Sequence, residues 1–214
     1  MLEKLKKAIQ KRYSTKIFKA GEDVDQEKLN LLLETLPLAP TSINSQAWHL
    51  YLISSPAEKA RLAETTWESN QAKYKDSSYL LVFCAKTTFA RQDLLEIEQL
   101  TASTRDAEIN EGRLAMLDNY VGSMSERDKQ EWLKRQVYLV FGQFLTTCAL
   151  IDLDSCPIEG FDTQKMDKLL GLKEKGLTSV VSAVIGSRDT NDFNTLDKAQ
   201  KVRFPKEKMI TEIK

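Results

Sequence analysis

Arg12, Ser14 and Lys16 occupy every second position of the segment Lys-Arg-Tyr-Ser-Thr-Lys at residues 11–16. In extended backbone alternate side chains share a face, so two cations flank one hydroxyl on the same side. A guanidinium matches the oxygens of a phosphate, which makes the triplet a candidate anion clamp. Lys201-x-Arg203, followed by Phe204-Pro205, repeats the spacing far along the chain, and the two pairs could converge on one phosphate. Alone, each pair reads more simply as a solvated stretch in a chain with 31 Lys and Arg residues.

Three further groups suit a polar ligand. Pro40 precedes Thr41-Ser42-Ile43-Asn44-Ser45-Gln46, whose hydroxyls and amides can serve ribityl or carbonyl groups. Asn70 and Lys73, at i and i+3 near a helix end, share a face. Pro157-Ile158-Glu159-Gly160 joins a fixed approach to a residue that permits a tight backbone path, so peptide N–H groups could face a flat ligand. In isolation these read more simply as a self-capping turn, a solvated helix end and a simple turn.

The remaining inventory removes whole classes of chemistry. His49 is the one histidine, and Cys84, Cys148 and Cys156 are far apart, so a metal site is not expected. The scattered cysteines read as reduced core thiols. No Gly-x-Ser-x-Gly or Gly-x-Gly-x-x-Gly occurs, and Gly171 and Gly176, at Walker A spacing, are followed by Leu177-Thr178 in place of Lys-Ser/Thr. Lys+Arg and Asp+Glu are balanced at 31 each, so no net field draws the chain to nucleic acid or a membrane. No apolar run approaches the ~18 residues of a membrane span. Residues 1–7 lack the apolar core of a signal peptide, and the expected location is cytoplasmic.

The elements that must carry these groups are legible from pattern. With 214 residues, 42% apolar and 29% charged, the chain reads as one mixed α/β domain over 1–214. Leu2, Leu5 and Ile9 predict a helix to about Arg12, followed by an extended segment, 13–18. Asp25 caps a second helix with Leu29, Leu32, Leu33 and Leu36 inward, stopping at Pro37. Residues 49–53 read as a strand, and Ser55-Pro56-Ala57-Glu58 starts a helix expected to run to about Lys73. The apolar runs 80–85 and 180–185 predict buried strands. Residues 89–121 read as helical. Ser125 restarts a helix whose stretch 132–153 is apolar nearly all round, as at the centre of a dimer. Residues 156–161 read as a loop, with Asp162 capping a short helix that ends near Gly171. The tail from Asp189 has little core of its own and is expected to be disordered or to wrap another body.

In this order and spacing, the candidate groups resemble the FMN-dependent nitroreductase family, nearest its oxygen-insensitive NAD(P)H nitroreductases and major flavin reductases, with related dihydropteridine reductases. The likeness lies in residues 11–16, 41–49, 70–73, 82–87, 136–139, 157–162, 171–176 and 201–203, and is weakest at about 88–125. It implies an α+β, nitroreductase-like fold with a central mixed or antiparallel sheet flanked by helices. It also implies an intertwined homodimer in which the tail, 190–214, wraps the partner and adds a strand to its sheet. Two FMN molecules would sit at the interface. NAD(P)H would donate hydride in ping-pong reduction of nitroaromatics, quinones or related flat small-molecule acceptors. The alternatives are a flavin or dihydropteridine reductase of the same fold, a flavin-binding dimer without turnover, and a protein binding a different phosphate.

By matched position the resemblance assigns Arg12, Lys201 and Arg203 to the phosphate. Ser14, Lys16, Asn70 and Lys73 fall by the ribityl chain and the pyrimidine edge, with Tyr13 and Thr15 in the same cofactor-binding segment. Pro40, Thr41, Ser42 and Asn44 would come from the other subunit. The backbone near Glu159, flanked by Pro157, Ile158 and Gly160, would address flavin N5, so no side-chain acid or base is needed. Relatives place a mobile aromatic-bearing helix over the flavin; residues 112–124 offer only Tyr120 for the substrate side. Tyr13 replaces a frequent histidine and Ala47 a common proline.

Overall fold

The computed structural model describes residues 1–213. Two apolar runs set its centre: β2 (Tyr79–Lys86) and β4 (Leu177–Gly186) are buried over most of their length. Flanked by β1 (Trp48–Ile53) and β3 (Asp154–Ile158), they form a four-stranded sheet in the order β1-β2-β4-β3. Every neighbouring pair is antiparallel.

Because successive strand residues point to opposite faces, the sheet feeds two cores. Leu81, Phe83 and Ala85 with Val181, Ala183 and Ile185 meet α2 (Gln26–Thr35), α5 (Arg91–Arg105), α6 (Glu111–Gly122) and α7 (Glu126–Leu150). Leu80, Val82, Cys84 and Val184 meet α3 (Pro56–Ala63), α4 (Glu68–Asp76) and α8 (Thr163–Leu170) on the other side. The α+β expectation holds, with the sheet antiparallel throughout.

Side-chain caps start the helices where the sequence signals them. Asp25 accepts from the Glu27 N–H, Ser55 from Glu58, Ser125 from Asp128 and Asp162 from Lys165. Gly171 ends α8 in the left-handed conformation, at φ 60°.

Two expectations are corrected. The helix from Pro56 does not run to Lys73; it ends at Ala63 and restarts as α4. The Thr65 and Thr66 hydroxyls donate back to the carbonyls of Leu62 and Ala63, competing with helix continuation. The freed backbone pairs elsewhere: Trp67 N–H donates to Gly160 O, and Asp162 N–H to Thr65 O. Secondly, residues 156–161 do not begin as a loop, because β3 extends to Ile158. Pro157 is tolerated since β3 is an edge strand with β4 as its one partner, so no ladder bond is required of its missing N–H.

The long helix also differs from its pattern. Leu133, Val137, Val140, Phe144 and Cys148 are fully buried, but Tyr138 and Leu139 remain 42% and 49% exposed in the single chain. Leu2, Leu5 and Ile9 on α1 (Leu2–Lys11) are likewise exposed. Beyond β4, Asp192 is wholly buried against its own chain, whereas Val202, Phe204, Ile210 and Ile213 are exposed on either side of the one-turn α9 (Lys206–Met209). Among the described residues no helix is long and apolar enough to cross a membrane.

Candidate functional site

The segment after α1 is extended, as expected, and pairs through one isolated bridge, Phe18 to Arg188, with the chain just past the end of β4. Its alternation is clear. Tyr13 and Thr15 are buried; the Tyr13 hydroxyl donates to Asp192 Oδ2 at 3.0 Å and the Thr15 N–H to Ser155 O at 3.1 Å. Arg12, Ser14 and Lys16 are therefore left on the opposite side, half-buried. Asn194 Nδ2 donates to Ser14 O at 2.8 Å and the Lys16 N–H to Asp192 Oδ2 at 3.2 Å, so residues 192–194 lock the strip from one side.

This lock brings the two cation pairs together. Arg12, Tyr13 and Ser14 line one cavity of about 210 Å³ with Lys201 and Arg203, and no carboxylate lines it. Lys201 Nζ donates to Ile9 O at 2.8 Å and Gln10 O at 3.0 Å, the open carbonyls at the C-terminal end of α1. Burial holds its ammonium below the usual lysine value, and the charges of Arg12 and Arg203 lower it further. Arg12 Nη1 is buried without a hydrogen-bond partner. A buried guanidinium nitrogen with no acceptor, beside two further cations, fits an anionic oxygen.

A second group adjoins the first. Lys73 on α4 is buried; its Nζ donates to Ser69 O and, at 3.0 Å, to Asn70 Oδ1. Asn70 Nδ2 donates to Gly160 O at 3.3 Å, which also accepts from the Trp67 N–H at 3.0 Å. Burial lowers Lys73, and so does Lys16. The Cys156 thiol on β3 is pushed up by burial and by Asp192, while the charges of Lys16, Lys73 and Arg12 pull it down. Beyond Ile158, the Tyr138 hydroxyl donates to Glu159 Oε1. Burial, then this carboxylate, raises Tyr138 to about 12.

Gly160 is required by close approach. A Cβ there would lie 2.8 Å from two Trp67 ring atoms and 2.9 Å from Asn70 Nδ2. Gly160→Ala is expected to displace the Trp67 ring and loosen Asn70, at a stability cost of about 1–2 kcal/mol for overpacking. Urea unfolding with native-state tryptophan fluorescence checks both parts; an unchanged emission maximum would remove the close-approach account.

Tyr13 supplies a pH signature. Burial, then the bond to Asp192, raises its hydroxyl from 10.0 to about 12. A raised folded value means the protonated form is favoured by folding, so this stabilisation is complete below about pH 10 and disappears between about pH 10 and 12. Tyr13→Phe is expected to cost about 1–2 kcal/mol at pH 8 and to lose less further stability than the parent as pH rises through that window. Urea midpoints measured from pH 8 to the alkaline limit test the sign.

Not every candidate joins this cluster within one chain. Pro40, Thr41, Ser42 and Asn44 sit in a loop on the α7 side of the sheet, where Ile43 packs against the α7 core. Tyr120 stands exposed on α6. Pro157 and Ile158 belong to β3 and lead the chain to Glu159. Sequence reasoning passed over Asp192, Asn194, Trp67 and the supporting role of Gln136. The first two are ordinary turn formers whose burial arises only when residues 189–199 fold back on residues 13–16.

A four-stranded antiparallel sheet between two helical layers, with three cations gathered at a carboxylate-free cavity, defines an α+β protein equipped to hold a phosphate. The nitroreductase family model matches residues 9–186, and the chain belongs to the nitroreductase family. It is 36% identical over 212 residues to an oxygen-insensitive NAD(P)H nitroreductase of Salmonella typhimurium, covering 94% of this chain and 96% of that protein. It is 30% identical over 201 residues to the major NAD(P)H-flavin oxidoreductase of Aliivibrio fischeri, covering 90% and 92%. Among solved structures, an FMN complex from Exiguobacterium sibiricum shares the fold with a TM-score of 0.81 at 19% identity, over 98% of this chain and 97% of that one.

Proposed function

We propose that the chain is an FMN-dependent NAD(P)H oxidoreductase, acting as a cytoplasmic homodimer on small flat acceptors such as nitroaromatics, quinones or free flavin. The names of the Salmonella and Aliivibrio relatives and the FMN held by the Exiguobacterium neighbour support this reading. The observation that carries it is the partnerless, buried Arg12 Nη1 in a cavity shared with Lys201 and Arg203. These residues fit the FMN phosphate in charge and in hydrogen-bond capacity.

When bound, FMN supplies the redox centre that takes a hydride from NAD(P)H and passes two electrons on. Arg12, Lys201 and Arg203 hold the phosphate, and Ser14 and Asn70 serve the ribityl side. Lys16 and Lys73 place positive charge by the pyrimidine edge, which favours electron acceptance there. The backbone at Glu159–Gly160, held by Tyr138 on one side and by Trp67 and Asn70 on the other, would supply the peptide groups that address the ring of the bound flavin. With the redox chemistry supplied by the flavin, no side-chain acid or base would be required of the chain; His49 lies on the edge strand β1 against Tyr51. The second copy contributes Pro40, Thr41, Ser42 and Asn44. The exposed Leu2, Leu5, Ile9, Leu139 and Phe204 supply apolar surface for that association; because residues 192–203 hold to their own chain, the tail crosses to the partner only beyond Arg203 and not from residue 190. Tyr120 stands on the substrate side.

The test is the visible spectrum of the purified protein, before and after anaerobic NADH. A flavin spectrum that bleaches, and returns when menadione or a nitroaromatic is added, is the expected result. A colourless protein that ignores added FMN would refute the cofactor. Bound flavin that NADH leaves oxidised would favour a flavin-binding dimer without turnover.

A further inference from the structure

We infer that Gln136 is a positioning residue: from the buried face of α7 it sets the loop at residues 40–46. On the reading above, that loop completes the flavin site of the partner subunit. Gln136 is only 3% exposed, in a core otherwise aromatic and aliphatic. Its Oε1 accepts from the Ser42 N–H at 2.8 Å, and its Nε2 donates to Trp132 O at 2.7 Å. The amide orientation is unambiguous, because the Ser42 N–H can only donate and the Trp132 carbonyl can only accept.

The loop needs such a tie. Ile43, Asn44 and Gln46 have φ of 53°, 57° and 45°, left-handed backbone that costs energy in non-glycine residues, most of all in β-branched Ile43. The remaining hydrogen bonds are local: Asn44 N–H to Thr41 O, Ser45 N–H to Ser42 O, and Gln46 N–H to Thr41 Oγ1. Among the described residues, the bond from Ser42 to Gln136 alone ties residues 40–46 to a distant element.

The same geometry separates positioning from folding. Trp132 O also receives the backbone bond of its own helix, so loss of Nε2 orphans no carbonyl. Ser42 is half-exposed, so its N–H can turn to water. Removing the amide therefore releases the loop more than it weakens the core.

The experiment compares Gln136→Met, which conserves volume without hydrogen bonds, with Gln136→Glu, which keeps an acceptor for Ser42. FMN dissociation constants come from flavin fluorescence, alongside apoprotein melting. Gln136→Met is expected to raise the FMN dissociation constant about fivefold to tenfold, the loss of one neutral hydrogen bond's worth of positioning, with melting close to the parent. Gln136→Glu should lie between the two. A mixed dimer of Gln136→Met and Arg203→Ala subunits then places both lesions in one site and leaves the other intact, so it should bind one FMN with parental affinity. Parental affinity in Gln136→Met, or equal losses in both Gln136 variants, overturns the positioning role. Two weakened homodimers whose mixed dimer has no tight site overturn action across the interface. Parental affinity in Arg203→Ala instead overturns the flavin-phosphate reading on which the inference rests.

Discussion

Arg12→Met is expected to weaken FMN binding by about 2–3 kcal/mol, roughly 30- to 150-fold, while leaving the apoprotein at least as stable as the parent. Of the three cations at the cavity, Arg12 has most to gain from a phosphate. Its Nη1 is buried with no acceptor, so the desolvation cost already stands and an anionic oxygen adds a charge-assisted bond. Lys201 is committed to the carbonyls of Ile9 and Gln10 and would add mainly charge. Arg203 is exposed, with Nη1 on Val202 O at 2.6 Å, and water screens its contribution. The expected order of loss is therefore Arg12 first, then Arg203→Ala and Lys201→Met. The sign for the empty protein follows from the same observation: removing Arg12 relieves a buried unpaired nitrogen and the positive field that lowers Lys201. Flavin fluorescence titration, with melting of the flavin-free protein, measures both quantities. Equal affinity in Arg12→Met would place the phosphate elsewhere.

How much of this could be read beforehand depends on the range of the forces involved. The alternation of Arg12, Ser14 and Lys16 was legible because period-2 geometry is local, and Tyr13 and Thr15 turn inward as it requires. The four side-chain caps, from Asp25 to Asp162, were legible for the same reason. β2 and β4 announced themselves by apolar runs too long for a half-exposed strand. The break at 64–67 was not visible. Its cause is pairing with residues 160–162, almost a hundred positions away, and Thr65-Thr66 alone only lowers helix propensity slightly. β3 was hidden by Pro157, which argues against a strand unless the strand is known to be an edge. The loop at 40–46 was legible in residue type but not in placement: left-handed φ at Ile43 arises from tertiary restraint that no local preference signals. The convergence of Lys201 and Arg203 on Arg12 was suggested by the repeated spacing and assigned to one phosphate by family resemblance, and the folded chain brings all three to one cavity.

Phe144→Ala should do the reverse of Arg12→Met, destabilising the fold by about 3–5 kcal/mol while leaving the affinity of the remaining folded protein for FMN near parental. Phe144 is fully buried where α7 crosses β2. Its ring meets Phe83 edge-on at 5.3 Å and stacks on Phe141 at 5.7 Å, while Phe83 and Phe141 meet at 5.1 Å. Three rings thus fasten the long helix to the central strand. Removing one forfeits its burial and opens a cavity that the helix cannot close without lifting off its other contacts, Val140 and Cys148 included. Gln136 and Tyr138 lie about two turns nearer the start of α7, where Leu133 and Val137 keep the helix seated, so the groups that support the site should hold their positions. Urea midpoints in the absence of FMN report the first effect, and FMN titration well below the unfolding transition reports the second. A loss under about 1 kcal/mol would mean that the ring cluster relaxes to fill the space. A parallel collapse of FMN affinity would mean that the flavin site depends on the whole length of α7 rather than on its first half, and would extend the positioning argument for Gln136 to the entire helix.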